Sequence, residues 1–131
     1  GNVVALDLAS RGRPVWTHES SSFSGLGMGF GNIYVSREDS VVVAHDEDNG
    51  KEIWSNDSLL YRDITAPVAI SSYIAVGDFE GYLHIIAQSD GRFVARAKVD
   101  GKGLNSPAVV DGSRIYTMGN SGRLSAFEIV Q

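Results

Sequence analysis

The chain has 131 residues, 43% of them hydrophobic and 21% charged, and a formal net charge of −5. This is the composition of one ordinary globular domain, and no apolar run approaches the ~20 residues that a membrane-spanning helix needs. The acidic balance disfavours nucleic-acid binding, which requires clustered Lys and Arg, and the absence of cysteine excludes disulfides, thiolate metal sites and a cysteine nucleophile.

In chain order, the first feature is a repeat of about 40 residues. Four turn-closing residues are separated by 39, 41 and 41 positions: Gly1, Ser40, Gly81 and Gly122. Each precedes a run with strand character, at residues 2–8, 41–47, 82–88 and 123–129. A second landmark keeps the same phase, because Gly12, Gly50 and Gly91 are followed four residues later by Trp16, Trp54 and Ala95. Two landmarks in one register indicate a repeat architecture.

The second unit shows how a repeat is built. Strands are predicted at 41–47, 52–56, 66–71 and 73–79, and residues 48–50 (Asp-Asn-Gly) supply a tight turn. Four short strands per unit without a helical period are typical of a β-propeller blade. The sequence therefore predicts an all-β propeller of about three four-stranded antiparallel blades, a single partial propeller over 1–131. Its expected units are 1–39, 40–80 and 81–121, with a final outer strand at 122–131.

Three blades are fewer than the four to eight of a closed ring, so the chain is expected to be a fragment of a larger propeller. Residues 2–8 are then a leading strand that has lost its blade and that could pair with the edge of another copy. The end blades would leave apolar faces exposed. We therefore expect the fragment to self-associate through blade faces or edge strands.

Segments with a possible site chemistry favour structural interpretations. The alternating glycines of residues 25–31 are expected to allow close packing rather than to cradle a phosphate, since no helix pattern follows them. The acidic residues 45–50 resemble the start of a calcium loop but lack its later ligands, so a hairpin turn is favoured. His18, His45 and His84 stand on different strands without metal-ligand spacing. No catalytic residue, metal ligand or cofactor site is predicted.

The tryptophans are candidates for packing between blades. An exposed Trp can be a binding hot spot, but Trp16 and Trp54 recur at one position of the repeat, as a blade-docking residue should. Gly12, Gly50 and Gly91 belong to the same predicted docking element. The third unit has Ala95 at the Trp position, which predicts a weaker contact there.

The pattern Asp7…Gly12…Trp16, with its shorter form Asp46…Gly50…Trp54, resembles the repeats of pyrroloquinoline-quinone-type eight-bladed propellers. Residues 77–84 (GDFEGYLH), followed by 90–95 and 98–100, resemble the C-terminal part of the BamB family. That family comprises the propeller lipoproteins of the outer-membrane β-barrel assembly machinery.

The resemblance implies a non-enzymatic, cofactor-free scaffold on the periplasmic side of the outer membrane. Its lipid anchor and roughly five further blades would lie outside this chain. The implied partner is a POTRA domain of the barrel subunit BamA, with unfolded outer-membrane proteins as further candidates. In the loop 57–64, Tyr61 and Arg62 are the candidate partner-binding residues.

Two other functions remain open at this point. The first is a fragment of a quinoprotein dehydrogenase, which shares the repeat and would bind pyrroloquinoline quinone and calcium. The second is a generic propeller adaptor. The absence of cysteine and of a matching acidic cluster disfavours the enzyme.

Overall fold

The computed structural model describes the backbone of residues 2–7, 13–19, 23–29 and 31–130, and the side chains of 25–29 and 31–130. These ranges contain β-strands and no helix. The strands are β1 (Asn2–Asp7), β2 (Arg13–Glu19), β3 (Phe23–Gly29), β4 (Asn32–Arg37), β5 (Val42–Asp46), β6 (Glu52–Asn56), β7 (Val68–Ile70), β8 (Tyr73–Gly77), β9 (Tyr82–Ala87), β10 (Phe93–Lys98), β11 (Val109–Asp111), β12 (Arg114–Met118) and β13 (Leu124–Glu128). The predicted all-β class is confirmed.

The strands form four antiparallel sheets in which each strand pairs with its neighbour in sequence. Sheet I is β1–β2, sheet II is β3–β6, sheet III is β7–β10 and sheet IV is β11–β13. The sheets differ from the predicted sequence units, because each unit contains the last two strands of one sheet and the first two of the next. The turn that marks the start of a predicted unit lies between the second and third strands of a sheet. Each predicted unit is therefore displaced by two strands relative to the sheets.

The leading strand was expected to stand alone, and this expectation is wrong. In the structure, β1 pairs antiparallel with β2, from Asn2 opposite Glu19 to Asp7 opposite Arg13. The strand that contains His18 was predicted, but its pairing with residues 2–8 was missed.

Two apolar clusters join the larger sheets. The first lies between sheets II and III and includes Tyr34, Trp54 and Ile86, whereas the second lies between sheets III and IV and includes Ile85 and Ile115. Adjacent residues of β9 therefore pack in opposite directions, as the two-residue period of a strand requires. The inner strands β8 and β9 of sheet III are buried on both faces, which explains the nearly continuous apolar run of β9.

The glycine-rich strand β3 lies against the segment that leads into β7. A Cβ atom at Gly25 would overlap Ala66, one at Gly27 would overlap the carbonyl of Pro67, and one at Gly29 would lie 2.9 Å from the Cβ of Ala69. The glycines thus let the first strand of sheet III approach the first strand of sheet II. The close-packing interpretation is confirmed for Gly25, Gly27 and Gly29.

Candidate functional site

The linker between β6 and β7 is held between two turns. Its Tyr61 N–H donates to the carbonyl of Asp39 at 2.9 Å, and the N–H of Phe79 donates to the carbonyl of Arg62 at 3.1 Å. Tyr61 has a φ of 62°, and its side chain is 78% exposed. A non-glycine residue persists at positive φ only where the surrounding structure fixes it. The linker is therefore a defined surface element.

Arg62 reaches a buried carboxylate. Its Nη1 lies 3.4 Å from Oδ2 of Asp78 and 3.5 Å from Oε2 of Glu80. The same Oδ2 of Asp78 lies 2.7 Å from Nε2 of His84, and its Oδ1 accepts from the N–H groups of Glu80 and Tyr82 at 2.9 and 3.1 Å. Asp78 is fully buried, and a buried carboxylate is tolerated only with such a complete set of donors. We name these three residues, Arg62, Asp78 and His84, the trio.

A surface groove of about 360 Å³ opens beside the trio, between the linker and β10. We call it the Arg62 groove, and its lining residues are Ser58, Leu59, Arg62, His84, Phe93, Val94, Ala95 and Arg96. One part of the lining is cationic and the other is apolar.

Cross-strand pairs extend the cationic surface. Arg96 lies opposite His84, and Lys98 lies opposite Tyr82, so these four side chains share one face of sheet III. The guanidinium carbon of Arg96 is 4.7 Å, and Nζ of Lys98 is 4.5 Å, from the centre of the Tyr82 ring. These are cation–π distances. The His84 ring lies 5.6 Å from the ring of Phe93, which fixes the aromatic side of the groove.

The repeat permits a comparison between neighbouring sheets. Three turns, which begin at Arg37, Asp78 and Gly119, close with the same backbone hydrogen bond. In each turn the N–H of the first residue donates to the carbonyl of the residue four positions later. These positions are 41 residues apart, and they align sheets II, III and IV.

On this alignment the trio occurs at one boundary. Gly103 corresponds to Arg62, since each accepts a backbone bond from the residue after the turn start, and Ser125 corresponds to His84. The boundary between sheets III and IV is instead linked by Asp100, whose carboxylate accepts from the hydroxyl and N–H of Ser121. The repeat architecture does not require an Arg and a His at these positions.

Only part of this site was predicted from the sequence. Tyr61 and Arg62 were predicted from their loop, and the structure places Arg62 in the groove, with Tyr61 beside it on the exposed linker. Asp78, His84 and Arg96 were missed as site residues. Alignment of the repeats would have indicated Asp78 and His84, because the next repeat has Gly119 and Ser125 at the corresponding positions.

Trp54 lies between sheets II and III. Its side chain is buried, Nε1 donates to the carbonyl of Gln88 at 2.8 Å, and its ring centre lies 5.8 Å from that of Tyr34. The ring also covers Gly91, where a Cβ atom would overlap the indole. Gly50 closes the equivalent hairpin of sheet II, with a φ of 74°.

The other members of the predicted docking element are described less fully. The backbone of Trp16 is in β2 opposite Ala5, and its side chain lies outside the described residues, as does all of Gly12. At Ala95, two cavities of about 170 and 280 Å³ open between sheets III and IV. Ile85 and Ile129 line both.

Across 25–29 and 31–130, no three His, Cys, Asp or Glu side chains converge as a metal site would require. In the acidic hairpin, Oδ1 of Asp46 instead accepts from the N–H groups of Asp48 and Asn49 at 2.7 and 3.2 Å. Within the described ranges there is also no helix of the length and apolarity needed to cross a membrane.

The family model of outer membrane protein assembly factor BamB matches residues 1–56 and 38–131, which together span the whole chain. The chain belongs to the BamB family. A curated BamB from Pseudomonas aeruginosa is 45% identical over 129 residues, which are 98% of this chain and 34% of that relative. The chain spans about a third of the length of the curated relatives it matches.

A solved structure agrees with membership of the BamB family. The crystal structure of BamB from Moraxella catarrhalis superposes with a TM-score of 0.89 and 32% identity, over 98% of this chain and 38% of that one. The predicted β-propeller fold is thereby confirmed. A europium-containing methanol dehydrogenase superposes with a TM-score of 0.64 and 23% identity, over 73% of this chain and 21% of that one. This second likeness shows the fold alone.

Proposed function

We propose that this chain is part of a non-catalytic scaffold that serves outer-membrane protein assembly by binding other proteins. The observation that carries the proposal is the match of the BamB family model across the whole chain. The relatives are named as outer membrane protein assembly factors. The dehydrogenase alternative is not favoured, because only a fold likeness supports it.

The partner in this proposal is a POTRA domain of a BamA-like barrel subunit, and unfolded outer-membrane proteins are candidate clients. The proposed location is the periplasmic face of the outer membrane, reached through a lipid anchor of the longer protein. Within this chain, the exposed linker with Tyr61 and Arg62 is the proposed contact surface. Its support is the positive φ of Tyr61, which presents the phenol to solvent from a fixed backbone.

We also propose that Trp54, Gly50 and Gly91 act as a docking element between adjacent blades, and that Trp16 and Gly12 do the same one repeat earlier. The support comes from the indole contacts with Gln88 and Gly91. Exposed apolar residues such as Leu26 and Met28 on β3 support the proposal that the isolated fragment self-associates.

Capture and complementation test the scaffold function. The full-length protein that contains this chain is immobilised and offered the POTRA domains of its own BamA-like subunit, and its gene is placed in a strain lacking BamB. We expect capture and restored assembly of outer-membrane proteins. Failure of both would overturn the proposal.

A further inference from the structure

We propose that the Arg62 groove binds an extended peptide segment in which an acidic side chain stands next to an apolar one. This inference deepens the scaffold function and rests on it for the class of ligand, a segment of a protein. The charges of the groove, its apolar lining, the fixed position of Arg62 and the absence of Arg62 and His84 from the corresponding positions of the next repeat support this inference.

Two cations at or near the groove, Arg96 and Lys98, favour an acidic side chain in the bound peptide. Arg96 lines the groove and is exposed, and Lys98 lies two residues further along the same face. Among the described residues, neither has a carboxylate within ion-pair distance; both instead lie over the Tyr82 ring, and Nζ of Lys98 also donates to the carbonyl of Glu80 at 2.6 Å. Arg96 and Lys98 thus form a locally cationic surface on a chain whose net charge is −5. A carboxylate is the group that an arginine fork binds with the best geometry.

The apolar lining of the groove favours an apolar residue next to the acidic residue of the bound peptide. Phe93 and Val94 are 40% and 47% exposed at the mouth of the groove, and Leu59 is buried behind them. The Phe93 ring is held against His84, so it offers a preformed apolar surface. An aromatic or aliphatic side chain beside the carboxylate would cover this surface while its acid meets Arg96.

Arg62 is positioned before any ligand arrives. Its backbone is fixed by the bond to Phe79, and Nη1 is fixed by Asp78 and Glu80. A guanidinium has five N–H donors, and the described contacts to carboxylates use only Nη1. A site whose cation is already ordered loses less conformational entropy when it binds.

Packing between sheets does not require the trio. Sheets III and IV dock with Gly103 and Ser125 in place of Arg62 and His84. A boundary between sheets therefore forms without the trio. The buried Asp78 then has a role that sheet packing does not give it, because it holds Arg62 in position for binding a ligand.

The test measures peptide binding to the full-length protein by fluorescence anisotropy at low ionic strength. The probe is a fluorescein-labelled peptide with the sequence Ser-Phe-Glu-Phe-Ser, and the control peptide carries Gln in place of Glu. We expect Arg96→Gln to weaken binding of the Glu peptide about tenfold, as the loss of one charge-assisted hydrogen bond predicts. The control variant is Arg92→Gln, which removes an exposed arginine paired with Asp90 outside the groove and should leave binding unchanged.

Retained thermal unfolding of each variant establishes that it is folded, and Arg96→Lys is expected to restore part of the affinity. The inference is overturned if the Glu peptide does not bind, if the Gln peptide binds equally well, or if Arg96→Gln binds as the wild type does. POTRA capture is measured on the same samples. Peptide binding without POTRA capture would count against the proposed BamA-type partner alone, and capture without peptide binding would count against the groove alone.

Discussion

The indole Nε1 of Trp54 donates a hydrogen bond of 2.8 Å to the backbone carbonyl of Gln88, and this bond joins two adjacent sheets. A second bond runs in parallel, in which Nδ2 of Asn56 donates to the carbonyl of Gly91 at 2.6 Å. The last strand of sheet II is thus attached to the hairpin between β9 and β10 of sheet III. Because the ring also packs on Tyr34, one side chain supplies both apolar burial and a directional bond.

Truncation of Trp54 should destabilise the boundary between sheets II and III. Trp54→Ala removes a buried indole, and we expect a loss of about 3–5 kcal/mol in the free energy of unfolding. Trp54→Phe keeps an aromatic ring but leaves the Gln88 carbonyl without this donor, which should cost about 1–2 kcal/mol. Urea denaturation measures both. Equal losses for the two variants would contradict the separate contribution of the hydrogen bond.

A comparison of Gly91 with Gly112 separates the contact with the indole of Trp54 from the effect of the left-handed backbone. Both have positive φ, 78° and 60°, but an added Cβ would overlap Trp54 at Gly91 and has nothing within 4 Å at Gly112. We expect Gly112→Ala to cost about 1 kcal/mol for the left-handed backbone alone, and Gly91→Ala to cost at least about 3 kcal/mol. Thermal and urea unfolding of the two variants test this. Similar losses would mean that the indole moves aside at little cost.

The small side chain of Ala95 leaves room between sheets III and IV. Both cavities there are lined by Ala95, and a Trp at this position would repeat the arrangement of Trp54. We expect Ala95→Trp to raise the free energy of unfolding by about 1–2 kcal/mol, less than full burial of an indole would give, because Ala95 is exposed and the new ring would be only partly covered. Val109→Trp, at an exposed site of β11, is the control and should give no gain. A loss of stability in Ala95→Trp would show that the cavities cannot accept the ring.

Strands and turns could be predicted from the sequence because they depend on local signals. β-Branched runs and Asn-Gly or Asp-Gly turns located the strands from β5 to β9 and β13 to within two residues. The assignment of strands to sheets was harder to predict from the sequence, because β6 and β7 belong to one sequence unit but to different sheets. Periodicity fixes the length of a repeat and leaves open where the sheet begins within it.

The candidate site was less predictable than the fold, since it depends on contacts between distant parts of the chain. Arg62 and Asp78 are 16 residues apart and meet only because the linker folds over the turn that begins at Asp78. Arg96 reaches the same surface through its cross-strand pairing with His84. A single sequence contains the residue types, and only the register of β9 and β10 brings them together.

The last prediction concerns pH and the link between sheets III and IV. Hydrogen bonds from the Ser121 hydroxyl, from the N–H of Lys102 and from the N–H of Ser121 hold the pKa of Asp100 below its ordinary value. A carboxyl whose pKa is lowered by folding stabilises the folded state above its unfolded pKa of about 3.9, and this contribution is lost as pH falls through the folded pKa. Asp100→Asn should therefore be less stable than the wild type at pH 7, and the difference should shrink as pH is lowered towards 3.

Urea denaturation of the wild type and Asp100→Asn at several pH values between 3 and 7 measures this convergence. Ser121→Ala serves as the second variant, because it removes the first donor that lowers the pKa and should reduce the pH dependence while leaving the carboxylate in place. A difference between wild type and Asp100→Asn that stays constant across this range would rule out a stabilising role for the Asp100 charge. The two variants together separate the ionisation of Asp100 from the packing of its turn against Gly119.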